Sequence, residues 1–193
     1  MILHDHYRFT AAWRLRIALA LKGLPVDRMT LPDGAGAGAP LGLAHSLAML
    51  EALDRRHPQA PLLPRGSFER ARMRALAQHI ASDTHPLNGF RELNYLRSPS
   101  GQDASGAQRW LARCIRLAFE SLEAQAPAAG FLGGEAPMLA DLVLVPQVHQ
   151  ARHLGVALQR FPRIEALDGR CRALPAFALA APGGVAPTDR VAA

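Results

Sequence analysis

Lysine is almost missing from this chain of 193 residues: of 22 basic residues, Lys22 alone is not arginine. Its place at the end of a helical stretch, away from the expected site, argues against Schiff-base chemistry. Cysteine is nearly as scarce. Cys114 and Cys171 both fall inside helical patterns and read as buried thiols. With no CxxC and no Cys/His ligand spacing, a zinc site is not expected. No apolar run reaches the roughly 18 residues that a membrane helix needs, and no signal peptide precedes the first strand. The expectation is a soluble, cytoplasmic protein without a membrane partner. GxSxG, P-loop and Rossmann fingerprints and paired catalytic carboxylates are absent as well. A basic block with interleaved aromatics is also lacking. The net charge is +6, but the arginines are scattered over several helices, which argues against nucleic acid. Pockets for a small carboxylate are the more economical use of so much arginine.

Half of the residues are hydrophobic, enough for a real core in one domain or two small ones. A short apolar run at 1–3 predicts a strand. Residues 8–23 follow, with Thr10 as a candidate N-cap and Gly23 as the residue that ends the helix. Pro25 blocks continuation, and 26–31 predicts a second strand. Residues 32–44 are Gly/Pro-rich and have no period. Leu47, Leu50 and Leu53 form an apolar stripe on a helix that Ser46 can cap and Pro58 ends. The Pro-rich stretch 58–64 is the best domain boundary.

After that boundary the chain reads as helical. Ser67 caps a helix to about Ser82, and His85-Pro86 interrupts it before a segment at 87–96. A long helix over 107–125 is expected to bury Trp110, Cys114, Leu117 and Leu122. The very apolar stretch 139–148 belongs to a central buried helix running to His153. Phe161-Pro162 opens a last helix to about Leu174, and the tail frays. The expected architecture is a small α/β domain (1–58), an all-helical domain (65–180) and a tail (181–193).

Trp-Arg-Leu-Arg-Ile-Ala-Leu-Ala-Leu-Lys-Gly at 13–23 carries a family resemblance. The stretches at 46–48, 61–64, 69–76, 85–88, 139–148 and 174–178 carry it further, in order and over nearly the whole chain. The sequence resembles the zeta class of glutathione transferases, which includes maleylacetoacetate and maleylpyruvate isomerases. The resemblance implies a thioredoxin-like N-terminal domain, a helical C-terminal domain and a homodimer. It also implies glutathione-dependent cis–trans isomerisation of an unsaturated diacid, with minor transferase activity.

The departures from that family bear on the chemistry. Where the family has Ser-Ser-Cys, this chain has Phe9-Thr10-Ala11. The hydroxyl that would assist a glutathione thiolate therefore passes to Thr10, which is otherwise a plain cap. The family's helix, strand and cis-proline segment is reduced here to the loop 32–44. At the γ-glutamyl carboxylate site, His45-Ser46 stands for Gln-Ser, so His45 and Ser46 join Thr10 as cofactor-binding candidates. Met138 replaces a capping Thr while Asp141 remains as a fold residue. Arg152-His153 lies where the isomerases bind substrate with arginine. Together with Arg8 and His85, these two are the substrate-binding candidates.

His4 and His6 share a strand face around Asp5 and form a weak candidate for metal or base chemistry. Two other readings stay open. One is an isomerase or rearrangement enzyme that dispenses with glutathione. The other is a non-catalytic relative that binds a ligand or partner protein at the truncated sheet edge.

Overall fold

The computed structural model describes residues 2–5, 10–30, 45–84 and 104–182. Arg8, His85, the loop 32–44, the segment 87–96 and the tail from 183 on lie outside these residues.

Strands β1 (Ile2–Asp5) and β2 (Asp27–Thr30) pair in parallel, with Ile2 opposite Asp27 and Asp5 opposite Thr30. Parallel strands need a crossover, and helix α1 (Thr10–Leu21) supplies it. The helix ends at Gly23, whose φ of +63° is the left-handed conformation that glycine tolerates. Leu24 N–H donates to the Leu19 carbonyl at 3.0 Å and Gly23 N–H to that of Ala20 at 3.1 Å. This is a Schellman stop, as the sequence predicts. At the other end the expectation shifts by one residue, because Thr10 is already helical.

Two further caps differ from expectation. Helix α2 (Ser46–Arg56) has His45 at the cap position, and Ser46 lies inside the first turn with its hydroxyl turned elsewhere. Helix α3 (Ser67–Gln78) has Gly66 at its cap position, not Ser67. It runs on into a π-helical turn, His79–Thr84, where the Thr84 hydroxyl donates to the His79 carbonyl at 2.8 Å.

The Pro-rich connection between α2 and α3 is pinned from both sides. Leu62 and Leu63 are buried within it. The Lys22 ammonium, itself buried, donates to Asp54 Oδ1 and to the carbonyls of His57, Gln59 and Ala60, at 2.8–3.1 Å. Leu62 N–H adds a second bond to the same Asp54 oxygen.

Helix α4 (Ala104–Glu123) starts earlier than the expected 107. Its buried stripe is Ala107, Leu111, Ile115, Ala118, Phe119 and Leu122. Trp110 and Leu117 were expected in that face, but both are exposed, Leu117 at 55%. At 100° per residue they fall about 100–120° from the Leu111 side, on the flank of the helix.

Helix α5 (Leu139–His153) is buried along 139–148, the all-round burial expected of a central helix. Met138 stands at its cap position without a capping hydroxyl. Asp141 compensates, accepting the N–H of Met138 at 2.8 Å and of Leu132 at 3.0 Å. After a 3₁₀ turn (Leu158–Arg160), the helix expected from Pro162 to about Leu174 is α6 (Pro162–Arg172), and a second helix that was not expected, α7 (Pro175–Ala180), follows it. Pro175, which has no N–H, opens the second.

One core cluster joins Leu3 and Trp13 near the start to Phe177 and Ala180 near the end. Helix α1 packs against α2, α5 and α7. Among the described residues, no helix is long and apolar enough to cross a membrane.

Candidate functional site

A cavity of about 640 Å³ opens where the first turns of α1 and α2 meet the C-terminal part of α3. Ala11 and Arg14 face it from α1, His45 and Ser46 from α2, and Arg74 from α3. Helix α2 makes its first backbone bond at Met49 N–H, which donates to the His45 carbonyl. The amides of the first turn therefore have no helical partner, and the positive end of the helix dipole lies at the cavity wall.

Arg14 is the decisive side chain. It sits in the all-buried stretch of α1 from Ala12 to Leu19 and is only 2% exposed. Its Nη1 donates to Ser46 Oγ at 3.1 Å. Its Nε and Nη2 are buried and have no hydrogen-bond partner. Burial lowers its pKa to about 10, so it stays a cation at neutral pH. A buried charge with unmet donors is costly, and an anion seated against it removes that cost.

The two free nitrogens form the side-on fork that fits both oxygens of a carboxylate. Arg74 displays the same geometry in use, its Nε and Nη2 gripping Glu51 Oε1 and Oε2 at 2.8 Å each. That pair, with Arg55 at 3.9 Å, neutralises the carboxylate in the cavity wall. The Arg74 hydrogen bonds also hold the Glu51 carboxyl below its usual pKa. Arg14 is thus the buried cation of this wall, and its side-on fork is left open.

The residues expected from sequence fall into four groups. His45 and Ser46 stand together at the cavity, Ser46 buried and His45 exposed at the rim. Thr10 is half-buried at the head of α1, next to Ala11. Arg152 and His153 lie at the far end of α5. Arg152 donates to the buried Asp168 at 2.7 Å, which ties α5 to α6, and His153 is exposed beside His149. Arg8 and His85 lie outside the described residues. Arg14 was missed as a site residue. Its signal was present, since it and Arg16 interrupt an otherwise apolar stretch.

Among the described residues, no group of three or more His, Cys, Asp or Glu side chains could hold a metal ion. Asp141, read as a fold residue, is fully buried at the head of α5, and burial raises its pKa to about 6.

No family model matches the sequence. Among curated proteins, a maleylpyruvate isomerase of Ralstonia sp is 37% identical over 205 residues, covering 94% of this chain and 97% of its own. The aligned stretch exceeds the 193 residues here, so that relative carries segments this chain lacks. A maleylacetoacetate isomerase of Pseudomonas aeruginosa is 35% identical, covering 94% of this chain and 96% of its own.

Among solved structures, a holo maleyl pyruvate isomerase described as a bacterial glutathione-S-transferase of the zeta class superposes with a TM-score of 0.88. It is 34% identical and covers 96% of this chain and 98% of its own. A maleylacetoacetate isomerase of Anaeromyxobacter dehalogenans with glutathione bound in its active site gives 0.87 at 32% identity, covering 98% and 97%.

Proposed function

Because this chain belongs to the zeta-class glutathione transferase family of maleylacetoacetate and maleylpyruvate isomerases, we propose that it isomerises the cis double bond of a conjugated unsaturated acid with glutathione as cofactor. The observation that carries this reading is the open fork of Arg14 beside Ser46 at the head of α2. The donor set fits glutathione: a buried cation, a hydroxyl and the amides of a helix's first turn suit the carboxylate of its γ-glutamyl end.

In this reading Arg14 binds that carboxylate side-on. Ser46 orients Arg14 and adds its hydroxyl, and His45 contributes a donor at the rim. Glutathione supplies a thiolate nucleophile. Thr10 stands at the head of α1, where a hydroxyl and the helix dipole both favour a nearby anion over its protonated form. Phe9, which takes the place of the family's first serine, has no hydroxyl to offer, so this task falls to Thr10. Arg8, His85 and His153 form the substrate side. Arg152, engaged by Asp168, holds α5 in place for them.

The finer architecture follows the same reading. Residues 1–58 form a reduced thioredoxin-like domain and residues 65–180 a helical one, working in the cytoplasm. The protein is a homodimer, a reading that the 77% exposure of Phe68 on α3 favours. Sedimentation of a monomer at micromolar concentration would refute the dimer.

Calorimetric titration of glutathione tests the main proposal. The wild-type chain binds, and Arg14→Met weakens binding about tenfold or more, as loss of hydrogen bonds to a charged group requires. No binding at millimolar glutathione, or equal binding by the variant, overturns it.

A further inference from the structure

The last turn of α5 holds a pair of imidazoles to which the chemistry above gives no joint role. His149 and His153 are one helical turn apart and so share a face. Their Nε2 atoms lie 3.0 Å apart, with ring centroids at 4.5 Å and planes at 88°. On its other side the His149 ring meets Trp13 of α1 edge-on, at 5.2 Å and 84°. His149 is half-buried and His153 reaches solvent. One nitrogen of such a contact can donate only if the other presents a lone pair.

The charged groups around the pair come from two helices. Arg152 lies on α5 itself. Arg172 and Asp168 lie on α6, with Glu165 acting on Asp168. Both arginines lean on the single Asp168 carboxylate, at 2.7 and 3.8 Å, which offsets part of their charge. Trp13, from α1, adds no charge. Partial burial, His153, Arg172 and Arg152 together hold His149 below the usual histidine pKa.

Ligand geometry supplies the remaining constraint. A metal ion bound by two imidazole nitrogens at about 2.0–2.1 Å places them about 2.9–3.4 Å apart, for angles from square to tetrahedral. The observed 3.0 Å lies inside that span. Two histidines at i and i+4 on one helix face are a recurrent bidentate donor set for such ions.

We propose that His149 and His153 form a two-histidine chelate for a borderline divalent transition metal ion, of the Cu²⁺, Ni²⁺ or Zn²⁺ kind. Its remaining coordination positions are open to water or to a carboxylate oxygen. No third protein ligand is present among the described residues, so the site is weaker than a closed structural site. Hard ions such as Mg²⁺ find no oxygen donors in the pair.

The test uses full-length protein without a histidine tag, titrated with Cu²⁺ and Ni²⁺ by calorimetry in the absence of glutathione, itself a chelator. The expected result is one equivalent that His153→Ala removes or weakens at least tenfold, while His57→Ala keeps it. Cu²⁺ is bound more tightly than Ni²⁺ or Zn²⁺. Binding weakens as the pH falls through the imidazole range, because protons displace the metal. Electron paramagnetic resonance of the Cu²⁺ form shows two nitrogen couplings in the wild type and one fewer in His153→Ala. His153 is exposed, so that variant keeps the fold, which a thermal melt verifies. Equal stoichiometry and affinity in wild type and His153→Ala would overturn the proposal, as would an unchanged nitrogen coupling pattern.

Discussion

Three buried cations, two on α1 and one just past its end, do three different things. Arg14 keeps a fork open toward the cavity. Arg16 Nε donates to the Ala180 carbonyl at 3.0 Å. Lys22 is saturated, its three N–H bonds spread over four oxygens. What separates them is whether the protein supplies the acceptors. Lys22 has its anion in Asp54 at 2.8 Å, and its side chain is fully buried. Lys22→Met leaves Asp54 and three carbonyls without their donor. It should cost about 3–5 kcal/mol, the range for removing one partner of a buried ion pair, read as a lowered urea midpoint. A loss under about 1 kcal/mol, the size of a surface pair, would contradict the buried network. The sequence showed Lys22 to be the one lysine of the chain. It could not show the role of Lys22, because the partners lie 32–38 residues away. Arg14 was hidden differently: its neighbours made it look like part of a fold signature.

At the level of the helix, stops were more legible than starts. A stop such as Gly23 is written in one residue whose backbone freedom the turn requires. A start needs an acceptor, and that acceptor can come from anywhere. Helix α6 has Phe161 at its cap position, and Glu123 of α4 accepts the N–H groups of Arg163 and Ile164 at 2.8 and 3.0 Å. Ser46, a good cap by type, is drawn off by Arg14 instead. The buried face of α4 was misread because Trp110 and Leu117 are apolar, although their angular positions place them on the flank.

Helix α5 shows the energetic consequence of capping from within. Asp141 accepts two backbone N–H groups, yet its burial dominates and raises its pKa to about 6. The folded state thus binds a proton more tightly than the unfolded chain, where the carboxyl titrates near 4. Its contribution to stability is fully present below about pH 4 and is lost as the pH rises through about 6. Asp141→Asn removes that term. The stability of the wild type relative to the variant should rise by about 2 kcal/mol from pH 7 to pH 4, since each pKa unit is worth about 1.4 kcal/mol and the unfolded carboxyl is half protonated at pH 4. Urea titrations at the two pH values measure it, and a constant gap would show that Asp141 titrates as an exposed carboxyl.

Across the whole molecule, the two chain ends of the described fold meet on α1. Helix α7 packs along α1, Phe177 is fully buried, and Arg16 bonds a carbonyl 164 residues further on. A closure between such distant segments leaves no local signal, which is why α7 was not expected after the helix that ends near Leu174. The cavity depends on the opposite side of the same helix, where Arg14 meets Ser46. Stability and ligand binding therefore draw on separate neighbours of α1: α7 supplies part of the core, while α2 sets the fork. Phe177→Ala empties a fully buried aromatic slot and should cost about 3–5 kcal/mol. For a chain of this size, about 2–4 °C per kcal/mol lowers the melting temperature by roughly 6–20 °C. Glutathione affinity, measured well below that temperature, should stay within about twofold of the wild type, because no contact of Arg14 or Ser46 is removed. Thermal melts and calorimetry on the same preparation separate the two effects. An unchanged melting temperature would make α7 peripheral to the core. A large loss of affinity in the folded variant would mean that α7, through α1, also positions the fork.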